Sequence, residues 1–317
     1  IMDVIAPVDD DLLIAEDITK ASMTLIDQDR ALHLHSALQH TGADLTEIAG
    51  GSGANTIAGI AALGLSTAYM GKVANDGLGK RFTQSLRQQG VMACPLPFTD
   101  GAATARCLIA VTPDGERSMS TFLGANVGFG PHDVDPQIVR DSAVTYLEGY
   151  LFDTNDQKAA FVKAAEIAKA ANRQVALTLS DSFCVDRHRA SFGQLVDNHV
   201  DILFANKEEM LALYELNDLG ESLRRVWKTG TTAAVTRSEK GSVIIEDGNI
   251  HEIAAVPVSK VVDTTGAGDQ YAAGVLAGRS MGLSWADAGH LGSICAAEVI
   301  SHYGARPERD IHAGIAG

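Results

Sequence analysis

The chain has 317 residues, with 46% hydrophobic and 21% charged side chains, which is the make-up of an ordinary folded globular protein. A chain of this length buries roughly three quarters of the surface its unfolded form exposes, so disulfides are not required for stability. Its 25 basic and 40 acidic residues leave a formal charge of −15, which argues against nucleic acid or an anionic membrane surface as a partner. Any phosphorylated ligand must therefore be held by local devices against the mean field.

Cys94, Cys107, Cys184 and Cys295 form no C-x-x-C pair, so they suggest neither a zinc site nor a disulfide framework and suit a reducing cytoplasm. No apolar run reaches the ~18 residues of a membrane span. The most apolar stretch, 57–70, is diluted by Gly59, Gly64, Ser66 and Thr67. The 31 glycines point to close backbone packing and backbone-lined ligand loops.

In chain order, residues 22–26, 103–111 and 117–122 read as strands without helical crossovers, and Pro113-Asp114-Gly115 is a strong turn between the last two. These predict a small antiparallel sheet. From Asp141 onward strand and helix signals alternate: strands at 143–147, 174–179, 201–204, 233–236 and 242–246, with helical patterns at 157–171 and 207–214. Such alternation predicts βαβ units on a mostly parallel sheet. With no linker, repeat or low-complexity tract, the expected organisation is one domain over 1–317 with a β appendage.

The most informative stretch is Asp263-Thr264-Thr265-Gly266-Ala267-Gly268-Asp269, placed after a strand-like run at 254–262 and opening a helix at 269–280. The small residues leave the amides of Ala267, Gly268 and Asp269 unshielded at a helix N-terminus, where the dipole adds partial positive charge. This is an anion hole that needs no basic side chain. The same dipole is expected to stabilise the Asp269 carboxylate and weaken it as a base. Other phosphate loops are excluded: Gly79-Lys80 is followed by Arg81 and has Ala74 where a Walker loop needs its first glycine, and Tyr271 stands where a Rossmann fingerprint needs its third.

With this loop the sequence resembles the PfkB family of carbohydrate kinases, whose C-terminal signature is D-T-x-G-A-G-D opening a helix. The family's G-G-x-x-x-N stretch is matched by Gly50-Gly51-Ser52-Gly53-Ala54-Asn55, and its G-x-x-G-x-D-x-x-G by Gly71, Asp76 and Gly79, with Ala74 in place of the middle glycine. Within the family the chain is most similar to adenosine kinases, through Ile1-Met2-Asp3-Val4, the run from Thr121 to Asn126 and the long insertion between Asp9 and Gly50. The resemblance implies a three-layer α/β/α ribokinase-like fold with a mostly parallel central sheet. It also implies a small β-sheet lid built from about 7–49 and 92–122, which closes over the sugar and excludes water.

Carried over residue by residue, the resemblance implies that Asp269 is the catalytic base, with the amides of Gly266, Ala267 and Gly268 on the phosphate. Arg117 matches a lid arginine that reaches the transferred phosphate; read alone, it is a surface arginine beside Glu116. Asp3 and Asn55 match the residues that bind vicinal sugar hydroxyls, with Gly50 and Gly51 letting the sugar approach. Alone, Asp3 reads as a strand-end acid and Asn55 as a helix N-terminal residue. Asn206 and Glu209, three apart on one helical face, match N-x-x-E and would orient water around Mg²⁺; as a bare string, N-K-E-E is also a solvated helix start. Thr236, Arg237 and Gly241 belong to a nucleotide-phosphate loop, where Ser238 replaces a glycine and Arg237 supplies charge; Thr265 is placed with the nucleotide. The family's K⁺ activation would involve Asp263 and the carbonyls of Thr265 and Ile300. His33, His35 and His40 are taken as solvated.

The expected function is ATP- and Mg²⁺-dependent phosphorylation of the primary hydroxyl of a ribosyl compound, adenosine to AMP, by a cytoplasmic monomer or homodimer. The alternatives are a ribokinase or other sugar or nucleoside kinase, and a binding protein that kept the fold and lost turnover.

Overall fold

The computed structural model describes residues 1–42, 44–93, 98–99 and 101–308 and divides them into two compact units. One comprises Ile1–Gly51, Met70–Gln88 and Ala93–Phe129; the other comprises Ser52–Tyr69, Gln89–Met92 and the chain from Gly130 onward. The first takes in residues 1–6, 50–51, 70–88 and 123–129 beyond the expected lid segments at 7–49 and 92–122.

The first unit starts with β1 (Met2–Pro7), α1 (Asp10–Ala15), β2 (Met23–Leu25), α2 (Gln28–His40) and β3 (Thr46–Ala49). The chain leaves it for α3 (Ser52–Ala62) and β4 (Ala68–Tyr69), then returns as β5 (Val73–Ala74) and α4 (Gly77–Gln88). After β6 (Met92–Ala93) and β7 (Phe98–Thr99) it adds the hairpin β8 (Arg106–Val111) and β9 (Arg117–Phe122). The sheet order is β2-β9-β8-β1-β3. The sheet is mixed rather than antiparallel: β1 runs parallel to β8 and β2 parallel to β9. Only β8 and β9 are joined by a tight turn that forces opposite directions. That turn closes as Pro113-Asp114-Gly115 predicts, with the Gly115 amide donating to the Thr112 carbonyl at 2.8 Å. Val4, Ala6, Leu108 and Ala110 face Leu13, Leu34 and Leu38 of the covering helices, which gives the sheet its buried face.

The second unit continues with α5 (Pro136–Asp141), β10 (Val144–Glu148), α6 (Asn155–Ala170), β11 (Gln174–Thr178), α7 (Ser182–His199), β12 (Ile202–Asn206), α8 (Lys207–Tyr214) and α9 (Leu219–Trp227). It ends with β13 (Thr232–Thr236), β14 (Ser242–Glu246), β15 (Asn249–Ile253), α10 (Ala267–Ser280) and α11 (Trp285–Val299). The six strands stand in sequence order; β10 to β13 are parallel, and β14 and β15 are antiparallel. Ile202, Phe204, Ala234 and Ile244 of the sheet pack against Tyr271, Val275 and Leu276 of α10 and Ala288 of α11 on one face. Helices α6, α8 and α9 cover the other face, completing three layers. Helices α10 and α11 meet at glycines: a Cβ on Gly274 would lie 2.6 Å from the Gly292 Cα.

The run at 254–262 is not a strand. Pro257 has no amide to give to a ladder, and the Val262 amide donates to the Ile300 carbonyl at 2.8 Å instead. The helix after it begins at Ala267, two residues earlier than expected. Among the described residues no helix is long and apolar enough to cross a membrane. Cys94 lies outside the described residues; Cys107, Cys184 and Cys295 are buried free thiols.

Candidate active site

The parallel strands of the second unit line up the C-terminal ends where α/β sheets hold ligands. Glu148 ends β10 opposite Thr178, and Asn206 ends β12 opposite Thr236, the last residue of β13. The parallel pairing sets the register, so the polar residues that close the apolar runs stand side by side at one edge.

The glycine loop sits beside this edge. Gly266 caps α10 in the left-handed region (φ 79°), and a Cβ there would lie 2.5 Å from Ala305, so only glycine fits. Of the three amides expected to be unshielded, that of Ala267 is occupied by the Thr264 carbonyl at 3.2 Å. The Gly268 and Asp269 amides have no backbone partner among the described residues, and the space over Gly268 is open. Upstream, Asp263 Oδ1 accepts from the Thr265 amide (3.0 Å) and hydroxyl (2.7 Å), and its Oδ2 accepts from the Gly304 amide at 3.3 Å. The Ile300 carbonyl accepts from the Val262 amide at 2.8 Å.

Asp269 lies in the first turn of α10, where Ser52 Oγ donates to Oδ1 at 2.6 Å and Asn55 Nδ2 donates to Oδ2 at 3.0 Å. Burial pushes its pKa up and outweighs those two bonds, which pull it down. The carboxylate is thus not stabilised as the helix dipole alone predicts, because lost hydration costs more than the Ser52 and Asn55 donors return. Glu148 is likewise pushed up, to about 7, by burial and then by the charge of Asp269. Both ends of the Asn55 carboxamide are engaged, since its Oδ1 accepts from Arg306 Nε at 3.3 Å.

Asn206 and Glu209 form a reciprocal cap on α8. The Glu209 carboxylate accepts from the Asn206 amide (2.9 Å) and from Nδ2 (2.7 Å), while the Glu209 amide donates to Asn206 Oδ1 at 2.8 Å. Glu209 is 5% exposed, and burial raises its pKa to about 7, with Asp181 and Glu208 adding repulsion. In the following loop, Arg237 turns to Glu252 (2.5 Å) and to the carbonyls of Lys240 and Ser242. Ser238 is forced to φ 53°, the backbone region that suits the glycine it replaces. A Cβ on Gly241 would lie 2.0 Å from the Ile253 carbonyl oxygen.

In the first unit, Asp3 in β1 touches the backbone at Gly50: a Cβ there would lie 2.3 Å from Asp3 Oδ2. Gly51 follows at φ 93°. Arg117 opens β9, half-buried. The Asp76 carboxylate accepts from the amides of Gly79 (2.8 Å) and Thr104 (2.9 Å) and from the Thr104 hydroxyl (2.7 Å). Burial works against its ionisation, but these bonds win and hold its pKa below the usual carboxylate range. Ala74 takes ordinary strand backbone, so the missing motif glycine costs nothing there. His33 pairs with Glu16 at 2.8 Å, His40 bonds its own helix, and among the described residues no cluster of three or more His, Cys, Asp or Glu could hold a metal.

The family profile described as "pfkB family carbohydrate kinase" matches residues 16–311, a span that holds Asn55, Asn206, the Gly266 loop and Asp269. The chain belongs to that family. It is 46% identical to the adenosine kinase from Sinorhizobium meliloti, with a TM-score of 0.90 over 100% of this chain and 96% of that one. A probable sugar kinase protein from Rhizobium etli CFN 42 is 44% identical, with a TM-score of 0.90 over 99% and 94% of the two chains. The ATP-dependent ribose-1-phosphate kinase of Halopiger xanaduensis is 28% identical over 72% of each chain.

A pfkB kinase uses ATP and a divalent metal, and the residues here fit one held through its water shell. The Glu209 carboxyl accepts twice from Asn206, and its oxygens retain lone pairs beyond those bonds that could accept from metal-bound water. Sequence reasoning on this pfkB chain missed Ser52, Glu148, Gln270 and Arg306. Ser52 stands at a variable position inside the G-G-x-x-x-N motif, and only its place as the first residue of α3 carried a signal. Glu148 was legible as an acid ending a buried strand. Arg306, some 250 residues from Asn55, offered no local pattern at all.

Proposed function

We propose that the protein phosphorylates the 5′-hydroxyl of adenosine with ATP, giving AMP and ADP. The observation that carries the phosphoryl-transfer chemistry is Asp269, a carboxylate fixed by Ser52 and Asn55 one residue beyond the open amide of Gly268. The substrate hydroxyl oxygen attacks the γ-phosphorus, its proton passes to Asp269, and ADP leaves with the bridging electron pair. The loose transition state asks mainly for positioning and charge stabilisation, which the loop amides supply. Mg²⁺ held through water by Asn206 and Glu209 would offset the triphosphate charge. Asp3, beside Gly50 and Gly51, is the acceptor for vicinal sugar hydroxyls, and Arg117 the cation for the transferred group.

Adenosine as acceptor is supported by the 46% identity to the Sinorhizobium meliloti protein over the whole chain. A sugar acceptor is the second reading, favoured by the ribose-1-phosphate kinase name of the Halopiger relative. Three buried free thiols suit a cytoplasmic enzyme. The deciding experiment is ADP release with Mg-ATP and a panel of adenosine, inosine, ribose, ribose 1-phosphate, fructose and 2′-deoxyadenosine. Adenosine is expected to give the highest kcat/KM. Preference for a sugar overturns the acceptor, and turnover with none points to a binding protein.

A further inference from the structure

Arg306 lies in the segment that follows α11, is 9% exposed, and meets the site at Asn55. Its Nε donates to Asn55 Oδ1 at 3.3 Å, and its Nη1 donates to Gln89 Oε1 at 2.7 Å. Asn55 in turn gives its Nδ2 to Asp269. We propose that Arg306 is a positioning residue for phosphoryl transfer, fixing the Asn55 carboxamide so that its NH₂, and never its carbonyl, faces Asp269.

A carboxamide is nearly symmetric in shape, so packing alone does not choose between its two orientations. Chemistry chooses here. Every guanidinium nitrogen is a donor and keeps its proton at any working pH, whereas both oxygens of ionised Asp269 only accept. With Arg306 on one side and Asp269 on the other, a flipped amide would set NH₂ against guanidinium and carbonyl against carboxylate. The backbones are braced to hold this line. Gln270, next to Asp269, donates its Nε2 to the carbonyls of both Asn55 (3.0 Å) and Ala305 (2.9 Å). Gly59 leaves room for the brace, since a Cβ there would lie 2.2 Å from Gln270 Oε1. The residues before Arg306 are also tied to the phosphate loop, through the Ala305 contact with Gly266 and the Gly304 amide on Asp263.

The inference rests on the reading of Asp269 as proton acceptor, and a double-mutant cycle with Asn55 tests it. With the best acceptor of the panel and Mg-ATP, Arg306→Ala is expected to lower kcat about tenfold with KM for both substrates within about twofold. In an Asn55→Ala background the same change should alter kcat by less than about twofold, because the group it orients is gone. Arg306→Lys, which keeps a donor-only cation, should recover at least about a third of the wild-type kcat. Thermal melts accompany each variant; if Arg306→Ala shows no cooperative melt, the cycle is run with Arg306→Lys, whose smaller loss should likewise vanish in the Asn55→Ala background. Equal losses in both backgrounds, or a loss confined to KM, overturn the inference. Asp269→Asn, run alongside, separates the two readings. Turnover by that variant sinks the role of Asp269, whereas an inert Asp269→Asn with an additive cycle sinks only that of Arg306.

Discussion

Ser52 Oγ donates to Oδ1 of Asp269 at 2.6 Å, so the first residue of α3 holds one oxygen of the acid that opens α10. The bond favours the ionised form against the burial that disfavours it. Ser52→Ala removes a charge-assisted bond that favours the ionised form, so the pKa of Asp269 should rise further. Because the reaction needs the ionised base, the acidic limb of kcat/KM should move to higher pH. An unmoved limb would mean that Asp269 does not set it.

Asp269→Asn keeps the size of the side chain and abolishes the acceptor. Positioned proton acceptors contribute about 10²–10⁴-fold, so kcat should fall by that order while KM for the acceptor changes little. The measurement is initial rates against acceptor concentration at saturating Mg-ATP.

The second unit was legible because its strands are continuous apolar runs closed by polar ends. The β14 strand and helix α8 fall where the residues place them, and the Gly266 loop announces itself by composition. The failures have physical causes. Residues 254–262 carry apolar side chains that suit a strand, but Pro257 and the pull of the Ile300 carbonyl on the Val262 amide decide otherwise. The direction of the shift at Asp269 depends on how much water the fold removes, which no local pattern encodes. Arg306 and Gln270 act across more than 200 residues on Asn55, so only the folded chain brings them together.

Ser238 sits at φ 53°, a region that costs a side chain about 1–2 kcal/mol, and glycine's extra unfolded-state freedom takes back part of any gain. Ser238→Gly should therefore stabilise the protein by about 0.5–1 kcal/mol in urea unfolding. Gly241→Ala is the opposite case, with φ 76° and a Cβ 2.0 Å from the Ile253 carbonyl oxygen, and should destabilise by more than about 2 kcal/mol.

Glu209 titrates at about 7 in the folded chain against an ordinary value of 4.5. A carboxyl with a raised pKa binds its proton more tightly when folded. Its contribution is thus fully present below about pH 4.5 and is lost as pH rises through about 7. The swing is about 3 kcal/mol. Glu209→Gln cannot ionise, so its stability should fall less than that of the wild type between pH 5 and pH 8. It should also start lower at pH 5, because the amide replaces one of the two acceptors used by Asn206. Urea midpoints at the two pH values provide the comparison, and parallel shifts would contradict it.

Gly50 leaves the space that the Asp3 carboxylate occupies, since a Cβ at Gly50 would lie 2.3 Å from Asp3 Oδ2. Gly50→Ala must therefore push that carboxylate aside. If Asp3 accepts two vicinal sugar hydroxyls, its displacement weakens acceptor binding, and KM for the acceptor should rise by about tenfold or more with KM for ATP unchanged. Asp3→Asn tests the same role from the other side. A buried acceptor left unpaired is what penalises a deoxy sugar, so replacing the carboxylate should cut the preference for adenosine over 2′-deoxyadenosine by about tenfold. The two variants fail differently if Asp3 is only a strand-end acid. Gly50→Ala would then lower stability without a selective change in KM, and Asp3→Asn would leave the ratio of the two nucleosides where it was.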